Sequence, residues 1–233
     1  MTITIEEVIQ KIDDWSGRRA EIQEMTGGLT NKNYRVAVAG HSYFVRVPGV
    51  STELLAVDRD NEYHSSKAAA DAGVGPKVLY HLPEHKVMVL EFLKGETMSI
   101  ETLQGPGMPE RIAQSLKKFH AGARCLNDFN MFRLVEFYIS IVEEHGVRIP
   151  DDYRPRMSVL GQIEKTLQAN SLDTVPCNND LLAENYIDDG QMLWLIDYEY
   201  SGNNDPCFEL GNTCQEQQYN EDQIGRASCR ERV

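Results

Sequence analysis

Apolar positions divide the chain into a strand-rich first part and a helical second part. Short apolar runs separated by glycine and polar residues predict strands at residues 21–25, 33–38, 43–47, 78–82 and 86–92. Residues 58–72 have the pattern of a helix that ends at Gly73. Apolar residues three or four positions apart mark three later helices: Ile112, Leu116 and Phe119 in the first, Leu134, Phe137, Tyr138, Ile141 and Val142 in the second, and Met157, Leu160, Ile163 and Leu167 in the third.

These elements predict an α+β protein with two lobes. A chain of 233 residues can bury a substantial core as one two-lobed domain or as two small domains. We expect residues 1–93 to form an N-terminal lobe with five antiparallel strands and one helix. We expect residues 94–223 to form a mainly helical C-terminal lobe, and the hinge to lie near residues 91–98.

A β-hairpin is predicted within the second lobe. Residues 186–187 and 192–196 have strand-like composition, and the letters DDGQ between them place Asp-Gly at the turn. Such a hairpin brings the residue before it, Asn185, and the residue after it, Asp197, to the same open end. One cation could therefore bridge these two side chains.

The residues around this hairpin predict phosphoryl transfer. Asp180 precedes Asn185 by five positions, which on an ideal helix would point the two side chains about 140° apart, so they converge only from a loop. One carboxylate to orient or deprotonate a hydroxyl, with an amide oxygen and a second carboxylate to hold Mg²⁺, is the set that transfer from ATP requires. The alternative is that these are ordinary turn residues, because Asp and Asn are common in turns.

A glycine-rich segment between the first two predicted strands is the candidate phosphate loop. Its glycines, Gly27 and Gly28, let the backbone approach phosphates closely, and Thr30, Asn31 and Asn33 add polar groups. The segment matches neither a Walker loop nor G-x-G-x-x-G. The alternative is an ordinary glycine hairpin turn.

Three further residues complete the predicted nucleotide side. Arg46 lies within an apolar strand, where a charge requires a partner or an anion, and a phosphate of ATP and the carboxylate of Glu62 are the candidates. An edge-strand arginine that faces water is the alternative, and the charges near the start of the helix, Glu62 included, could all be solvated. Glu91 follows an apolar strand at the hinge, where backbone groups would pair with adenine.

Composition narrows the functional class. The net charge of −13 argues against binding to nucleic acid or anionic membranes and is compatible with a cationic substrate. No signal peptide and no apolar stretch long enough for a bilayer are found, so we expect a cytoplasmic protein without membrane insertion. The chain has five cysteines, an odd number, and none of them has C-x-x-C spacing, so we expect neither disulfides nor a zinc site.

Four motifs in order give the chain its resemblance to a known family. They are GGLTNKNY at 27–34, NDLLAEN at 179–185, IDYEY at 196–200 and FELGN at 208–212. Over residues 20–217 the chain resembles the choline/ethanolamine kinase family, of the aminoglycoside-phosphotransferase-like group with a protein-kinase-like fold. The resemblance implies Asp180 as catalytic base, Asn185 and Asp197 as Mg²⁺ ligands, residues 27–33 over the phosphates of ATP and Arg46 as the strand cation.

The resemblance also implies a small cationic amino alcohol as the acceptor, most simply choline. A quaternary ammonium group requires aromatic faces and acidic groups, and Tyr198, Glu199 and Glu209 supply both. The alternative is that the aromatic residues of this segment belong to the core. Ethanolamine, thiamine or an aminoglycoside are other possible acceptors, whereas a protein kinase is disfavoured because no D-F-G or A-P-E segment follows the loop.

Two departures from the family pattern lead to a further alternative. Asn178 stands where the family loop begins with histidine, and the chain ends soon after the FELGN motif, so we expect a C-terminally truncated member. Residues 224–233 match the translation of a common sequencing-adapter oligonucleotide and are expected to be a non-native tail. A nucleotide-binding module without turnover is therefore the alternative to an enzyme.

Overall fold

The computed structural model describes residues 3–25, 31–49, 52–169 and 173–229. The elements of its first part are α1 (Ile5–Lys11), β1 (Ala20–Met25), β2 (Asn31–Val38), β3 (His41–Pro48), α2 (Arg59–Asp71), β4 (Val78–Leu82) and β5 (Val87–Glu91). The five strands form one antiparallel sheet in the order β1-β2-β3-β5-β4. Helix α2 is the one inserted between the third and fourth strands.

The second part is mainly helical. Its elements are β6 (Glu96–Thr97), α3 (Ile100–Leu103), α4 (Met108–His120), α5 (Met131–Glu144), α6 (Tyr153–Gln168), β7 (Val175–Cys177), β8 (Tyr186–Asp188), β9 (Leu193–Leu195), β10 (Gly202–Asn204), α7 (Pro206–Glu216) and α8 (Glu221–Cys229). Strands β8 and β9 form the predicted hairpin with β6 beside β8, and β7 pairs with β10. The residues expected to be a tail therefore begin inside α8.

Helix α1 packs behind the sheet and closes the first core. Thr4 and Glu7 form a reciprocal capping box at its start, which satisfies backbone groups that a helix end leaves without partners. Val8 and Trp15 then pack with sheet residues such as Val45. The sheet is thereby covered on the face away from the helical part.

The second core joins α2 to the helices and to the hairpin. Leu116 and Phe119 of α4 pack with Tyr186 and Leu195 of the hairpin, and Ala69 of α2 belongs to the same cluster. Because α2 contributes to this core while it lies next to the sheet, its position is fixed relative to both parts.

The predicted strands and helices form close to their expected bounds, with one difference in packing. Helix α6 carries the expected apolar stripe, but Ile163 and Leu167 on it are 48% and 54% exposed. The periodicity of a helix predicts which residues share a face, whereas the burial of that face depends on a neighbouring element. Among the described residues, every helix is too short or too polar to span a bilayer.

A glycine at the junction of the two parts tests this packing. A Cβ atom on Gly95 would lie 2.5 Å from the carbonyl oxygen of Asp188 and 2.7 Å from Cγ2 of Ile187. We expect Gly95→Ala to lower the free energy of unfolding by about 1–3 kcal/mol, because backbone atoms of the hairpin cannot move aside without strain. Urea unfolding followed by circular dichroism measures this change.

Gly161→Ala is the matched control. Gly161 lies within α6 and a Cβ atom there would meet nothing within 4 Å. We expect this substitution to stabilise the chain by roughly 0.5–1 kcal/mol, because alanine favours a helix more than glycine does. Equal effects of the two substitutions would contradict the close packing at Gly95.

Candidate active site

The loop that follows β7 is fixed from below by a buried carboxylate. Glu209 of α7 has no exposed surface, and its Oε1 accepts hydrogen bonds from the backbone N–H groups of Asn178 at 2.5 Å and Asn179 at 3.2 Å. Its Oε2 is paired with Nε2 of His120. Asn179 has a left-handed backbone with φ of 66°, a conformation that asparagine tolerates better than most residues. Glu209 and His120 therefore support the start of the loop.

Asn178 ties the same loop to the exit of the hairpin. Its Nδ2 donates to the carbonyl oxygens of Ile196 at 3.3 Å and Asp197 at 3.0 Å, and its Oδ1 accepts from the backbone N–H of Asp180 at 3.0 Å. Asparagine thus connects the two segments through its side-chain amide, at the position where the family pattern has histidine.

Asp180, Asn185 and Asp197 come together at the open end of the hairpin. The backbone N–H of Ile196 donates to the carbonyl oxygen of Asn185 at 3.0 Å, which holds the two ends of the hairpin side by side. Nδ2 of Asn185 donates to the carbonyl oxygen of Asp180 at 2.7 Å and lies 3.4 Å from its Oδ2. Asp197 itself has a left-handed backbone with φ of 62°. The entry and the exit of the hairpin therefore meet, with Asp180 in contact with the entry residue.

Arg46 connects the sheet to this group of side chains. Its Nη1 lies 2.6 Å from Oε1 of Glu62 and 2.8 Å from Oδ1 of Asp197. Burial alone lowers the pKa of the guanidinium, but the adjacent carboxylates of Asp197 and Glu62 outweigh burial and raise it above its ordinary value. Arg46 therefore stays charged, and of the two sequence alternatives the structure places it inside rather than facing water.

A second arginine, which sequence reasoning missed, lies next to this pair. Nη1 of Arg59 is 2.6 Å from Oε2 of Glu62 and 3.4 Å from Oε2 of Glu199. The same Glu199 oxygen accepts from Nδ2 of Asn31 at 3.1 Å. The available sequence signal was the spacing of Arg59 and Glu62, which are three positions apart at the start of a helix and therefore neighbours.

The carboxyl group of Asp180 is electrostatically perturbed. Burial raises its pKa, and the nearby charges of Asp197 and Glu199 raise it further, to about 6, while the Asn185 hydrogen bond acts in the opposite direction. Glu216 of α7 also raises this pKa, so its carboxylate lies close enough to act on Asp180. Asp180 thus changes its charge in a pH range where an ordinary aspartate stays ionised.

A cavity of about 320 Å³ opens between the sheet and the hairpin. Apolar side chains such as Phe44, Leu90 and Ile196 line most of it, and Arg46 and Asp197 line one side. Its remaining lining residues include Glu91, Phe92 and Gly95. The backbone N–H of Glu91 is occupied, because it donates to the carbonyl oxygen of Lys77 at 2.8 Å. A small apolar cavity with a few polar groups is typical of ligand sites.

The other predicted nucleotide residues are only partly described. Gly27, Gly28 and Thr30 lie outside the described residues. Asn31 and Asn33 lie on β2, where Asn33 is paired in register with Arg46 of β3. The polar residues that end the predicted phosphate loop are therefore adjacent to the strand cation.

The three predicted acceptor residues occupy interior positions. Tyr198 is 2% exposed, and its hydroxyl donates to the carbonyl oxygen of Leu195. Glu209 supports the loop from its buried position. Glu199 accepts a hydrogen bond from Asn31 and is paired with Arg59. Tyr200 and Glu216 are less buried, and each interacts electrostatically with Asp180. Glu216 was not singled out from the sequence, although it lies seven positions after Glu209 and so on the same face of α7.

Comparisons with known proteins identify the family and the fold. A family model described as choline/ethanolamine kinase matches residues 22–231. The crystal structure of a choline/ethanolamine kinase family protein from Mesorhizobium loti is 31% identical, with a TM-score of 0.81, and the match covers 97% of this chain and 73% of that one. Choline kinase LicA from Streptococcus pneumoniae is 26% identical with a TM-score of 0.83, covering 98% and 80%, and LicA has also been solved in complex with AMP.

Curated relatives, which are longer than this chain, include ethanolamine kinases. Human ethanolamine kinase 1 is 29% identical over 217 residues, which cover 85% of this chain and 47% of that protein. The chain spans about half the length of the curated relatives it matches. The α+β, protein-kinase-like fold class predicted from the sequence is confirmed by the similar structures.

The raised pKa of Asp180 gives a stability prediction. Its pKa in the folded chain, about 6, lies above the ordinary value of 3.8, so ionisation of Asp180 destabilises the folded state as pH rises through this interval. We expect Asp180→Asn to raise the free energy of unfolding at neutral pH by about 1–2 kcal/mol, discounted for partial solvent screening. The gain should shrink as pH falls below about 6 and vanish below about 4.

Chemical unfolding of the metal-free chain across this pH range measures the effect. Asp71→Asn, at an exposed position near the end of α2, is the control for loss of one carboxylate. A neutral-pH stability of Asp180→Asn at or below that of the unsubstituted chain would contradict the prediction.

Proposed function

The chain belongs to the choline/ethanolamine kinase family, and we propose that it transfers the γ-phosphoryl group of MgATP to the hydroxyl of a small amino alcohol. The observation that carries this proposal is the convergence of Asp180, Asn185 and Asp197 beside a buried guanidinium, that of Arg46, at the edge of a cavity between the sheet and the hairpin. Phosphoryl transfer depends mainly on positioning and charge neutralisation, and these residues supply both.

Residues 1–93 form the nucleotide-binding lobe in this proposal, and residues 94–223 form the catalytic lobe. Adenine occupies the apolar cavity, with the carbonyl of Glu91 as an acceptor for its amino group. Arg46 and the segment containing Gly27, Gly28, Thr30, Asn31 and Asn33 bind the phosphates. The AMP complex of LicA supports a nucleotide ligand for this family member.

Asn185 and Asp197 hold Mg²⁺ in the proposed complex. An amide oxygen and a carboxylate are the hard oxygen donors that Mg²⁺ prefers, and the hairpin brings them to one place. When bound, the ion neutralises charge on the phosphate oxygens. Arg46, which bonds Asp197 here, would supply positive charge to the phosphates beside the ion.

Asp180 accepts the proton of the acceptor hydroxyl as the oxygen attacks the γ-phosphorus, and ADP leaves from the opposite side. The carboxylate form is required for this step. Because the pKa of Asp180 is about 6, a base is present at neutral pH and is lost as the medium becomes acidic.

Substitution of Asp180 tests its role as the base. We expect Asp180→Asn to lower kcat by about a hundredfold or more, since general-base catalysis contributes on this scale, while the affinity for MgATP is largely retained. For the unsubstituted chain, kcat/KM should fall as pH decreases through about 6. Steady-state kinetics and calorimetric titration with MgATP measure these quantities, with Asp71→Asn as control. Retained turnover in Asp180→Asn would remove Asp180 from this step.

The electrostatics around Asp180 support a cationic acceptor. Glu199 and Glu216 both raise the pKa of Asp180, so the carboxylates share a negative field, and the Tyr200 ring is near enough to feel it. Positive ammonium groups are attracted to such carboxylates and to aromatic faces. Choline is the acceptor we propose, as for LicA; the human relative named ethanolamine kinase 1 makes ethanolamine the second candidate.

A series of acceptors distinguishes the two candidates. We expect kcat/KM for choline to exceed that for ethanolamine, with the singly and doubly N-methylated amines between them, because each methyl group improves contact with an aromatic face. Phosphorylated products identified by mass spectrometry provide the measurement. A preference for ethanolamine would replace choline by the second candidate, and the absence of any phosphorylated product would favour a nucleotide-binding module without turnover.

A further inference from the structure

Arg59 is a buried cation to which neither the sequence motifs nor the proposed mechanism gives a role. It is the first residue of α2, and only 8% of its side chain is exposed. Nη1 donates to Glu62 and lies 3.4 Å from Glu199. Among the described residues, Nε and Nη2 have no hydrogen-bond partner although both atoms are buried. One edge of the guanidinium is therefore used and the other is not.

An unpaired edge on a buried guanidinium is costly. A buried donor without an acceptor costs about 1–3 kcal/mol, and more when the group is charged. The planar fork of arginine matches the oxygen atoms of carboxylates and phosphates, so a missing anionic partner is the group that would complete it. The unused Nε–Nη2 edge thus points to a ligand with paired oxygen atoms.

The partners of Nη1 place Arg59 beside the proposed phosphate site. Glu62, which accepts from Arg59 through Oε2, accepts from Arg46 through Oε1. Glu199, the other partner of Nη1, accepts from Asn31, where the predicted phosphate loop ends. Arg59 is therefore linked through Glu62 to Arg46 and through Glu199 to Asn31.

The local charge balance favours a role for Arg59 in binding an anionic ligand. Two guanidinium groups, those of Arg46 and Arg59, face three carboxylates, those of Glu62, Asp197 and Glu199, in a largely buried network. Without Arg59, a single guanidinium would face the same three carboxylates. Removal of this charge would leave the site strongly unfavourable for a polyphosphate, even in the presence of a divalent ion.

We propose that Arg59 is a second phosphate-binding residue, whose Nε and Nη2 donate to oxygen atoms of the terminal phosphate of ATP. This inference rests on the proposed function, because it assumes that ATP occupies the cleft. Arg46 binds one part of the polyphosphate chain and Arg59 binds its end. Glu62 orients both guanidinium groups through its two oxygen atoms, and Glu199 holds Arg59 near Asn31.

Calorimetric titration of the full chain with AMP, ADP and ATP, each with Mg²⁺, tests this assignment. We expect Arg59→Met to weaken ATP binding by about tenfold or more, the usual scale for hydrogen bonds to a charged group, and to leave AMP binding unchanged. Retained AMP binding also shows that the variant is folded. Arg59→Lys should recover part of the loss, because it keeps the charge but not the two-pronged geometry.

Lys86→Met is the matched control. Lys86 pairs with Asp60 in the first turn of the same helix, but its side chain is 42% exposed. Its removal takes away the same unit of charge from the same end of α2, and we expect it to leave the affinities for all three nucleotides unchanged. A loss of ATP affinity equal to that of Arg59→Met would overturn the assignment, since general electrostatics would then explain both.

The double variant Arg59→Met with Glu199→Gln separates direct contact from charge balance. This variant leaves one cation and two carboxylates in the network, so its net charge equals that of the unsubstituted network with two cations and three carboxylates. Continued weak binding of ATP supports a direct contact, whereas recovery of ATP affinity would show that Arg59 only compensates Glu199. Unchanged ATP binding in Arg59→Met alone would overturn this inference without affecting the proposed function. Failure of the unsubstituted chain to bind ATP would overturn both.

Discussion

The ion pairs of the buried Arg46 guanidinium with Glu62 and Asp197 are the interaction on which the site depends. A buried charge is stable only when it is paired and hydrogen-bonded, so Arg46 requires both Glu62 and Asp197. These two partners come from α2 and from the residue that follows the hairpin. One pairing requirement therefore brings strand β3, helix α2 and the hairpin exit together, and the cavity between the sheet and the helical part opens next to it.

A second buried carboxylate fixes the opposite side of the site. Glu209 of α7 accepts hydrogen bonds from the backbone of the loop through one oxygen, and its other oxygen is paired with His120 of α4. Helices α4 and α7 therefore jointly determine where the loop starts. This support allows unfavourable local features to persist, among them the left-handed conformation of Asp197 and the raised pKa of Asp180. Functional sites commonly retain such features when the surrounding structure is rigid enough. In the proposed mechanism, the residue that lowers the stability, Asp180, is also the base that works near neutral pH.

Carboxylates outnumber guanidinium groups around the site, and their number has consequences for both substrates. Asp180 lies in the field of Asp197, Glu199 and Glu216, which raises its pKa and favours a cation in its vicinity. The same field would repel a nucleotide, and in the proposed complex Arg46, Arg59 and a divalent ion offset that repulsion. The chain has a net charge of −13. Within the site, Arg46 and Arg59 lie on the proposed nucleotide side, and the carboxylates around Asp180 lie on the proposed acceptor side.

The sequence by itself determined the elements and indicated the residues that we propose for the centre of the site. Hydrophobic periodicity located the strands and helices, because burial of one face repeats every two or every 3.6 residues. The Asp-Gly turn was enough to predict that Asn185 and Asp197 would meet, because hairpin geometry is local. The tertiary structure alone decided which side chains face the cavity. Tyr198 and Glu209 lie inside, and Arg59 lies beside Glu199. Glu216 lies near Asp180, and the apolar stripe of α6 remains exposed. Burial and charge pairing of this kind depend on neighbours that are distant along the chain.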